Sequence, residues 1–362
     1  MIEVFGASVS YFTGKLESYL RYKGLPYVRR SIYDRKREIL DELGVLQHPV
    51  VRLPDGRWMT DTTPMLGWFE NAHPANPVMP SDPVVRFLAL LVEDYADEWL
   101  WRAAMHYRWS YEPDRALLSR LICDDQLAPL PWPRPLKLRM VRLRQRVGFV
   151  VRDGVNSRTR AHVEAGYRAA LAGMSAMLAG RPFLLGNAPS IADFGLMGPM
   201  LRHFGQDPTP AEIMRNEAPA VYEWVARTWN AQPPAEGPRF ASEWPADGAG
   251  LLREVAETHL VQLRANAVAL GEGRRRFDVT IQGCRYGSLP VSRYRVWCLE
   301  QLRGALEAVA RERRGEIERW LGTAAMELLD GGKAPPASGH DTAGTVPFGP
   351  GLNVYGRGVP FF

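Results

Sequence analysis

The sequence predicts an α/β domain in residues 1–76, an all-helical domain in residues 84–235 and a mostly helical extension in residues 240–330. Three observations predict this order. Strand and helix signals alternate at the start of the chain. Four prolines between residues 73 and 83 form a linker, because proline stiffens a chain and ends helices. After the linker, apolar residues recur at helical spacing.

The first domain opens on a short apolar run with β-branched and aromatic members, which is typical of a strand. Gly24 and Pro26 end the helix that follows it. Asp55 and Gly56 lie between two strand-like runs and indicate a hairpin with positive φ at both turn positions. Pro64 falls in the first turn of the last helix, where its missing N–H costs little. The predicted elements are residues 2–5, 14–23, 27–33, 35–43, 49–53, 57–60 and 62–71, in the order β-α-β-α-β-β-α of a thioredoxin-like domain.

Helical periodicity dominates the rest of the chain. It predicts helices at 84–107, 158–179 and 218–229, and another that starts near residue 190. Ser190 and Asp193 form a capping pattern ahead of this last helix, which we interpret as structural. In the extension, residues 251–270 and 291–321 predict helices and residues 276–282 a strand. The Gly/Pro-rich residues 331–362 predict an irregular tail.

Composition argues against several classes of protein. The 362 residues include 45 Lys+Arg and 40 Asp+Glu, interspersed along the chain, so we do not expect nucleic-acid binding. Cys123, Cys284 and Cys298 are too few for a disulfide framework and lack the paired spacing of a metal site. They are typical of a reduced, cytoplasmic protein.

The sequence also predicts neither a signal peptide nor an integral membrane segment. No basic stretch followed by an apolar one precedes the first strand. The longest apolar run, residues 87–92, is far shorter than the ~20 residues that a membrane helix needs.

Four segments of the first 235 residues resemble cytosolic glutathione S-transferases. Residues 10–27 are similar to that family's first loop and helix, residues 47–51 to the segment with its cis-proline, and residues 58–62 to the strand and acid–hydroxyl pair before its third helix. Residues 181–193 (RPFLLGNAPSIAD) are very similar to the capped, buried helix of its all-α C-terminal domain.

Two short stretches, YFTGKLE (residues 11–17) and DEWLW (residues 97–101), indicate a divergent branch of the family. This branch is either bacterial-type or close to the metaxin-like and failed-axon-connections-like relatives. Residues 240–362 resemble no known family. The resemblance implies a thioredoxin-like domain with a GST-type helical domain, glutathione as co-substrate, no metal, and a homodimer.

The resemblance places Ser10 at the family's catalytic position, with Tyr11 as the second candidate. The free thiol of glutathione has a pKa of about 8.5, so a transferase must stabilise the thiolate. A hydroxyl at a helix N-terminus can do so by donating to the sulfur. The alternative is that Ser10 only caps the helix.

Four further residues are implied to bind glutathione. Pro49 should be the cis-proline, with His48 offering its backbone to the cysteinyl part; a trans proline at a strand start is the alternative. Asp61 should pair with the γ-glutamyl ammonium, while Thr62 and the helix N-terminus hold the carboxylate. Simple capping by Thr62 is compatible with both roles.

A pocket for the electrophile is expected between the two domains, and it suits a small, apolar substrate. Each of its candidate residues could instead belong to the core. The absence of Cys-x-x-Cys disfavours a disulfide oxidoreductase. The candidates are Phe12, Trp101, His106, Tyr107 and Trp109.

Two functions follow from these observations. The first is a glutathione transferase. The second is a non-catalytic scaffold that uses its C-terminal extension to bind a protein partner. The scaffold is suggested by departures from the family pattern: Tyr11 follows Ser10 where many relatives have proline, Asp61 and Thr62 replace Glu and Ser, and Pro64 lies inside the glutathione-binding turn.

Overall fold

The structure, a computed structural model, describes residues 1–128, 130–330 and 337–352. The first domain has the predicted order of elements, with helices on both faces of one sheet. Its elements are β1 (Ile2–Phe5), α1 (Tyr11–Tyr22), β2 (Tyr27–Arg30), α2 (Lys36–Leu43), β3 (Val50–Arg52), β4 (Trp58–Thr60) and α3 (Thr62–Ala72).

The four strands form a mixed sheet in the order β2-β1-β3-β4. β1 and β2 pair in parallel, while β3 is antiparallel to both β1 and β4. The predicted hairpin at Asp55 and Gly56 is confirmed, but only Gly56 has a positive φ (91°). The Leu53 N–H donates to the Arg57 carbonyl at 2.9 Å and closes a three-residue loop, so the two-residue turn was wrong.

The second domain is all-helical, as predicted. The predicted helix at 84–107 is in fact two helices that separate at Trp99. Apolar periodicity continues across this break without Gly or Pro, so the sequence does not signal it. The helices are α4 (Pro83–Glu98), α5 (Leu100–Ser110), α6 (Glu112–Gln126), α7 (Arg134–Gln145) with a π-helical turn at Arg146–Val151, α8 (Arg160–Leu178), α9 (Ile191–Pro199), α10 (Pro208–Glu217) and α11 (Pro219–Trp229).

The extension is mostly helical and packs on α4. It contains a hairpin of which only the first strand was predicted, and the predicted helix at 291–321 is interrupted after residue 307. None of the described helices is long and apolar enough to cross a membrane. The elements are α12 (Ala249–Val255), α13 (Val261–Gly271), β5 (Arg276–Ile281), β6 (Cys284–Pro290), α14 (Arg293–Glu307), α15 (Arg314–Leu321) and α16 (Thr323–Asp330).

Part of the tail returns to the first domain. The Thr60 N–H of edge strand β4 donates to the Pro347 carbonyl at 3.0 Å, and the Gly351 N–H donates to the Leu43 carbonyl at 2.8 Å. Residues 337–352 contain no helix or strand, as predicted, whereas residues 331–336 and 353–362 of the predicted tail lie outside the described residues. The tail therefore covers a strand edge that would otherwise present unpaired backbone groups.

Asp193 organises the start of α9 in the centre of the helical domain. Its buried carboxylate accepts from the Ser190 N–H at 2.9 Å, the Ser190 hydroxyl at 2.7 Å, the Leu184 N–H at 3.0 Å and the Trp224 indole at 3.0 Å. Four donors compensate this carboxylate for the loss of water. The predicted capping pair therefore also joins the 184 loop and α11 to α9.

We expect Asp193→Ala to lower the free energy of unfolding by about 3 kcal/mol, because four buried donors lose their acceptor. Urea unfolding followed by circular dichroism measures this change. Glu223→Ala is the matched control, since this exposed carboxylate has only an Arg227 partner at 3.9 Å, and it should change stability by less than about 0.5 kcal/mol. Equal effects of the two substitutions would contradict a central role for Asp193.

Candidate functional site

A cavity of about 470 Å³ lies between the first domain, the helical domain and the extension. The first domain contributes the segment around Pro49 and the start of α3. The helical domain contributes the end of α4, the start of α5 and the π-helical turn. Pro290 to Arg295 of the extension supply the remaining wall, together with Leu352 of the tail. Three parts of the chain that are distant in sequence therefore build one site.

The Pro49 wall is polar and carries little charge. The His48–Pro49 peptide bond is cis, which confirms that prediction. Gln47 donates its side-chain amide to the Thr60 hydroxyl at 3.4 Å. Burial lowers the pKa of His48 to about 4, so its imidazole is neutral at pH 7. The Nδ1 atom of His48 has no hydrogen-bond partner among the described residues.

Asp61 precedes α3 in a left-handed conformation, with φ of 73°. The hydroxyl of Tyr294, from the extension, donates to its carboxylate at 2.9 and 3.0 Å. Burial raises the pKa of Asp61 to about 7. The hydrogen bond from Tyr294 and the charge of Lys15 lower this pKa, whereas the charges of Glu93 and Glu98 raise it further. Asp61 is therefore close to half ionised at neutral pH.

A buried ion cluster lies beneath Asp61. Lys15 of α1 pairs with Glu93 and, at 2.5 Å, with Asp97 of α4, and it donates to the Thr63 hydroxyl at 3.1 Å. Burial alone would lower the pKa of Lys15, but the two carboxylates outweigh burial and raise it. Asp97 lines the cavity, and its Oδ1 atom has no partner among the described residues.

Another part of the cavity wall is aromatic. Phe12 and Trp101 stack with ring centroids 5.8 Å apart and planes 16° from parallel. The Phe149 ring meets Trp101 edge-on at 5.8 Å. Both Phe12 and Trp101 line the cavity as predicted residues, whereas Phe149 was not among the candidates. This wall suits an apolar or aromatic group of a ligand.

Ser10 and Tyr11 lie beside the cavity and are not among its lining residues. The Ser10 hydroxyl accepts from the Thr13 N–H at 3.3 Å and caps α1. Tyr11 is buried, and its hydroxyl donates to the Ala96 carbonyl. Burial, followed by the nearby Asp97, raises the pKa of Tyr11. Tyr11 therefore acts as a packing residue between α1 and α4.

His106, Tyr107 and Trp109 do not reach the cavity, contrary to expectation. All three are buried on the faces of α5 that pack inside the helical domain. His106 contacts the Glu164 carboxylate at 2.9 Å, and the Tyr107 ring packs edge-on against Tyr167. Trp101 alone of the α5 candidates faces the first domain, because one helix cannot turn all four side chains in the same direction.

The structure adds charged residues that sequence reasoning missed. Glu98 binds Arg295 at 2.9 Å, and Asp153 lies 3.5 Å from the same guanidinium. Arg152 lines the cavity without an ion-pair partner among the described residues. No sequence signal marks these residues, because Arg295 and Tyr294 reach the cavity from the extension.

No group of three or more His, Cys, Asp or Glu residues suited to a metal ion occurs in the part of the chain that the structure describes. The carboxylates that line the cavity are instead bonded to cations or to a hydroxyl.

Comparisons with known proteins bear on this arrangement. The family model for the glutathione S-transferase N-terminal domain matches residues 4–77, and that for the glutathione S-transferase C-terminal domain matches residues 157–227. A search of curated proteins by sequence gives no match.

Several solved structures are similar at low identity. A glutathione S-transferase from Rhodospirillum rubrum is 18% identical, with a TM-score of 0.41, over 62% of this chain and 86% of that one. The β-etherase LigF from Sphingobium is 17% identical (TM-score 0.44; 62% and 93%). A glutathione S-transferase from Methylobacterium radiotolerans, in complex with glutathione sulfonate, is 19% identical (TM-score 0.39; 66% and 95%).

The two family matches coincide with the parts of the chain that bear the expected architecture. The first covers the four-stranded domain with its cis-proline, and the second covers α8 to α11 with the Asp193 cap. Residues beyond 227, including the whole extension, are outside both matches. The chain therefore carries the N-terminal and C-terminal domains of the glutathione S-transferase superfamily in residues 4–77 and 157–227.

Proposed function

We propose that the protein binds glutathione in this cavity and directs its thiolate at a small electrophile. The observation that carries the proposal is that Pro49, Asp61 and Thr62 line the same cavity as the aromatic wall. A polar wall suits the peptide-like thiol, and the aromatic wall suits the electrophile. The backbone at His48 supports the cysteinyl part, as the resemblance implies.

The γ-glutamyl end of glutathione carries an ammonium and a carboxylate. Asp61 can accept the ammonium, because each carboxylate oxygen keeps a free lone pair beside the Tyr294 bond. The N-terminus of α3, with the Thr62 hydroxyl, supplies donors for the carboxylate.

Ser10 is the proposed thiolate stabiliser. Its oxygen accepts the Thr13 N–H, and its own proton has no acceptor among the described residues. The proton is thus available for a sulfur placed at the N-terminus of α1. In the conjugation step the sulfur forms a bond to an electrophilic carbon, the leaving group departs with its electron pair, and the thiol proton passes to solvent.

The scaffold remains the second candidate, favoured by one observation: Tyr294 of the extension already bonds Asp61. A cytoplasmic location, expected from the cysteine usage, and a homodimer, implied by the resemblance, stay predictions. Glutathione binding separates the two functions, because a scaffold has no need of it.

We expect the affinity for glutathione to rise with pH through about 7, the pKa of Asp61, because the carboxylate attracts the ammonium only when ionised. Titration calorimetry between about pH 5.5 and 7.5 measures this, since most of the ligand's amine stays protonated in that range. Asp61→Asn should weaken binding and flatten the profile. Tyr294→Phe should move the midpoint of the pH profile upward. The Tyr294 hydrogen bond stabilises the ionised form of Asp61, so its removal raises the pKa of that carboxyl.

Tyr222→Phe is the matched control for Tyr294→Phe, since Tyr222 is exposed on α11. It should leave the affinity and its pH profile unchanged. A native pH profile retained by Asp61→Asn would contradict the role of Asp61 as the partner of the ammonium.

We expect Ser10→Ala to bind glutathione but to release no proton at neutral pH, and to lower kcat about 10- to 100-fold, because a donor to the thiolate is lost. Calorimetry in buffers of different ionisation enthalpy counts the proton. Ser31→Ala is the matched control, since Ser31 also caps a helical turn by accepting an N–H at 3.3 Å, away from the cavity.

Full proton release by Ser10→Ala would exclude the hydroxyl as thiolate stabiliser. No binding of millimolar glutathione to the native protein would contradict the transferase and favour the scaffold.

A further inference from the structure

An apolar stripe is exposed on α7 and the segments that flank it. It holds five of the nine large apolar side chains that are exposed among the described residues. Elsewhere such side chains occur singly, which is normal for a protein surface. The stripe consists of Trp132 (45% exposed), Leu136 (51%), Leu143 (64%), Val147 (53%) and Val151 (57%).

The stripe follows one face of the helix. Leu136, Leu143, Val147 and Val151 are spaced by seven, four and four residues, which places them on one side at about 100° per residue. The opposite side packs into the protein through Val141 and other buried residues. The segment thus has one apolar face for the core and a second one for which the described chain offers no cover.

The same segment is strongly basic. Between Arg134 and Arg152 the sequence has seven Lys and Arg residues and no Asp or Glu, whereas the whole chain is only +5. Arg139 and Arg146 are exposed beside the stripe and have no ion-pair partner among the described residues. The exposed apolar side chains of the stripe and the unpaired Arg139 and Arg146 therefore lie on the same surface.

We propose that this surface attaches the protein peripherally to an anionic lipid bilayer. A helix with apolar side chains flanked by arginines lies in the membrane interface, where the apolar groups enter the acyl boundary and the cations meet lipid phosphates. Trp132, at the end of the stripe, suits the headgroup level. Attachment of this kind needs no membrane-spanning helix.

Charge complementarity favours a lipid surface over other occupants. A second copy would bring the same exposed Arg139 and Arg146 against those of the first, and like charges repel. A nucleic acid would pair with the arginines but would leave the exposed leucine and valine side chains without a partner. An acidic protein groove would also pair with the arginines, and binding to polyglutamate distinguishes it from a lipid surface.

The position of the stripe relates it to the cavity. Val147 and Val151 are exposed on the π-helical turn, while Gly148 and Phe149 of the same turn, and Arg152 directly after it, line the cavity. A bilayer at the stripe would therefore lie next to the cavity wall, where an electrophile dissolved in lipid could enter.

The test is flotation of the full chain with vesicles of phosphatidylcholine alone or with about 30% phosphatidylserine. We expect binding to the anionic vesicles only, and release at about 0.5 M salt, where surface charges are screened. The double variants L143Q/V147Q and R139Q/R146Q should each lower the partition coefficient into anionic vesicles about tenfold or more. For R139Q/R146Q this expectation rests on a loss of about fivefold for each cation removed.

Val268→Gln and Arg158→Gln are the matched controls, because they remove an exposed apolar and an exposed basic side chain elsewhere. They should bind as the native chain does. All substituted residues are exposed and outside the cavity wall, and circular dichroism checks that each variant is folded.

Three results would overturn the proposal. The first is failure of the native chain to bind anionic vesicles. The second is equal loss of binding in the control variants, or none in the stripe variants. The third is tight binding to polyglutamate that L143Q/V147Q does not weaken, combined with weak vesicle binding, which would assign the surface to an acidic protein.

Discussion

The cavity depends on a single buried cation. Lys15 is fully buried where α1, α3 and α4 meet, and its ammonium binds Glu93, Asp97 and the Thr63 hydroxyl. An ammonium without partners would cost several kcal/mol in such a place, so the two carboxylates must lie where they do. This requirement fixes the first domain against α4 and positions the cavity between them.

The extension completes what this cluster begins. Tyr294 adds the only side-chain hydrogen bond to Asp61 found in the described chain, and Arg295 neutralises Glu98. Both acids are partly buried, and carboxylates removed from water without donors are unstable in their charged form. α14 therefore belongs to the electrostatic structure of the cavity rather than being a separate appendage.

Sequence reasoning succeeded where the determinants are local. The hairpin at Gly56 and the cap at Asp193 are encoded within a few residues, and short-range patterns report them, whereas the cis bond at Pro49 was expected from the family resemblance. It failed where partners are remote: the Tyr294–Asp61 bond spans 233 positions. It also could not separate Trp101, which faces the cavity, from Tyr107, since both are aromatic residues on one helix.

The polar wall of the site combines neutral groups with one carboxyl whose charge can change. His48 is neutral, and Asp97 is compensated by Lys15, so the polar wall offers hydrogen bonds with little net charge. Asp61 is the exception, because burial and the Tyr294 bond oppose one another and hold its pKa at about 7. Protonation of one carboxyl thus sets the charge that a ligand meets on this wall. That balance exists only because a residue of the extension reaches an acid of the first domain.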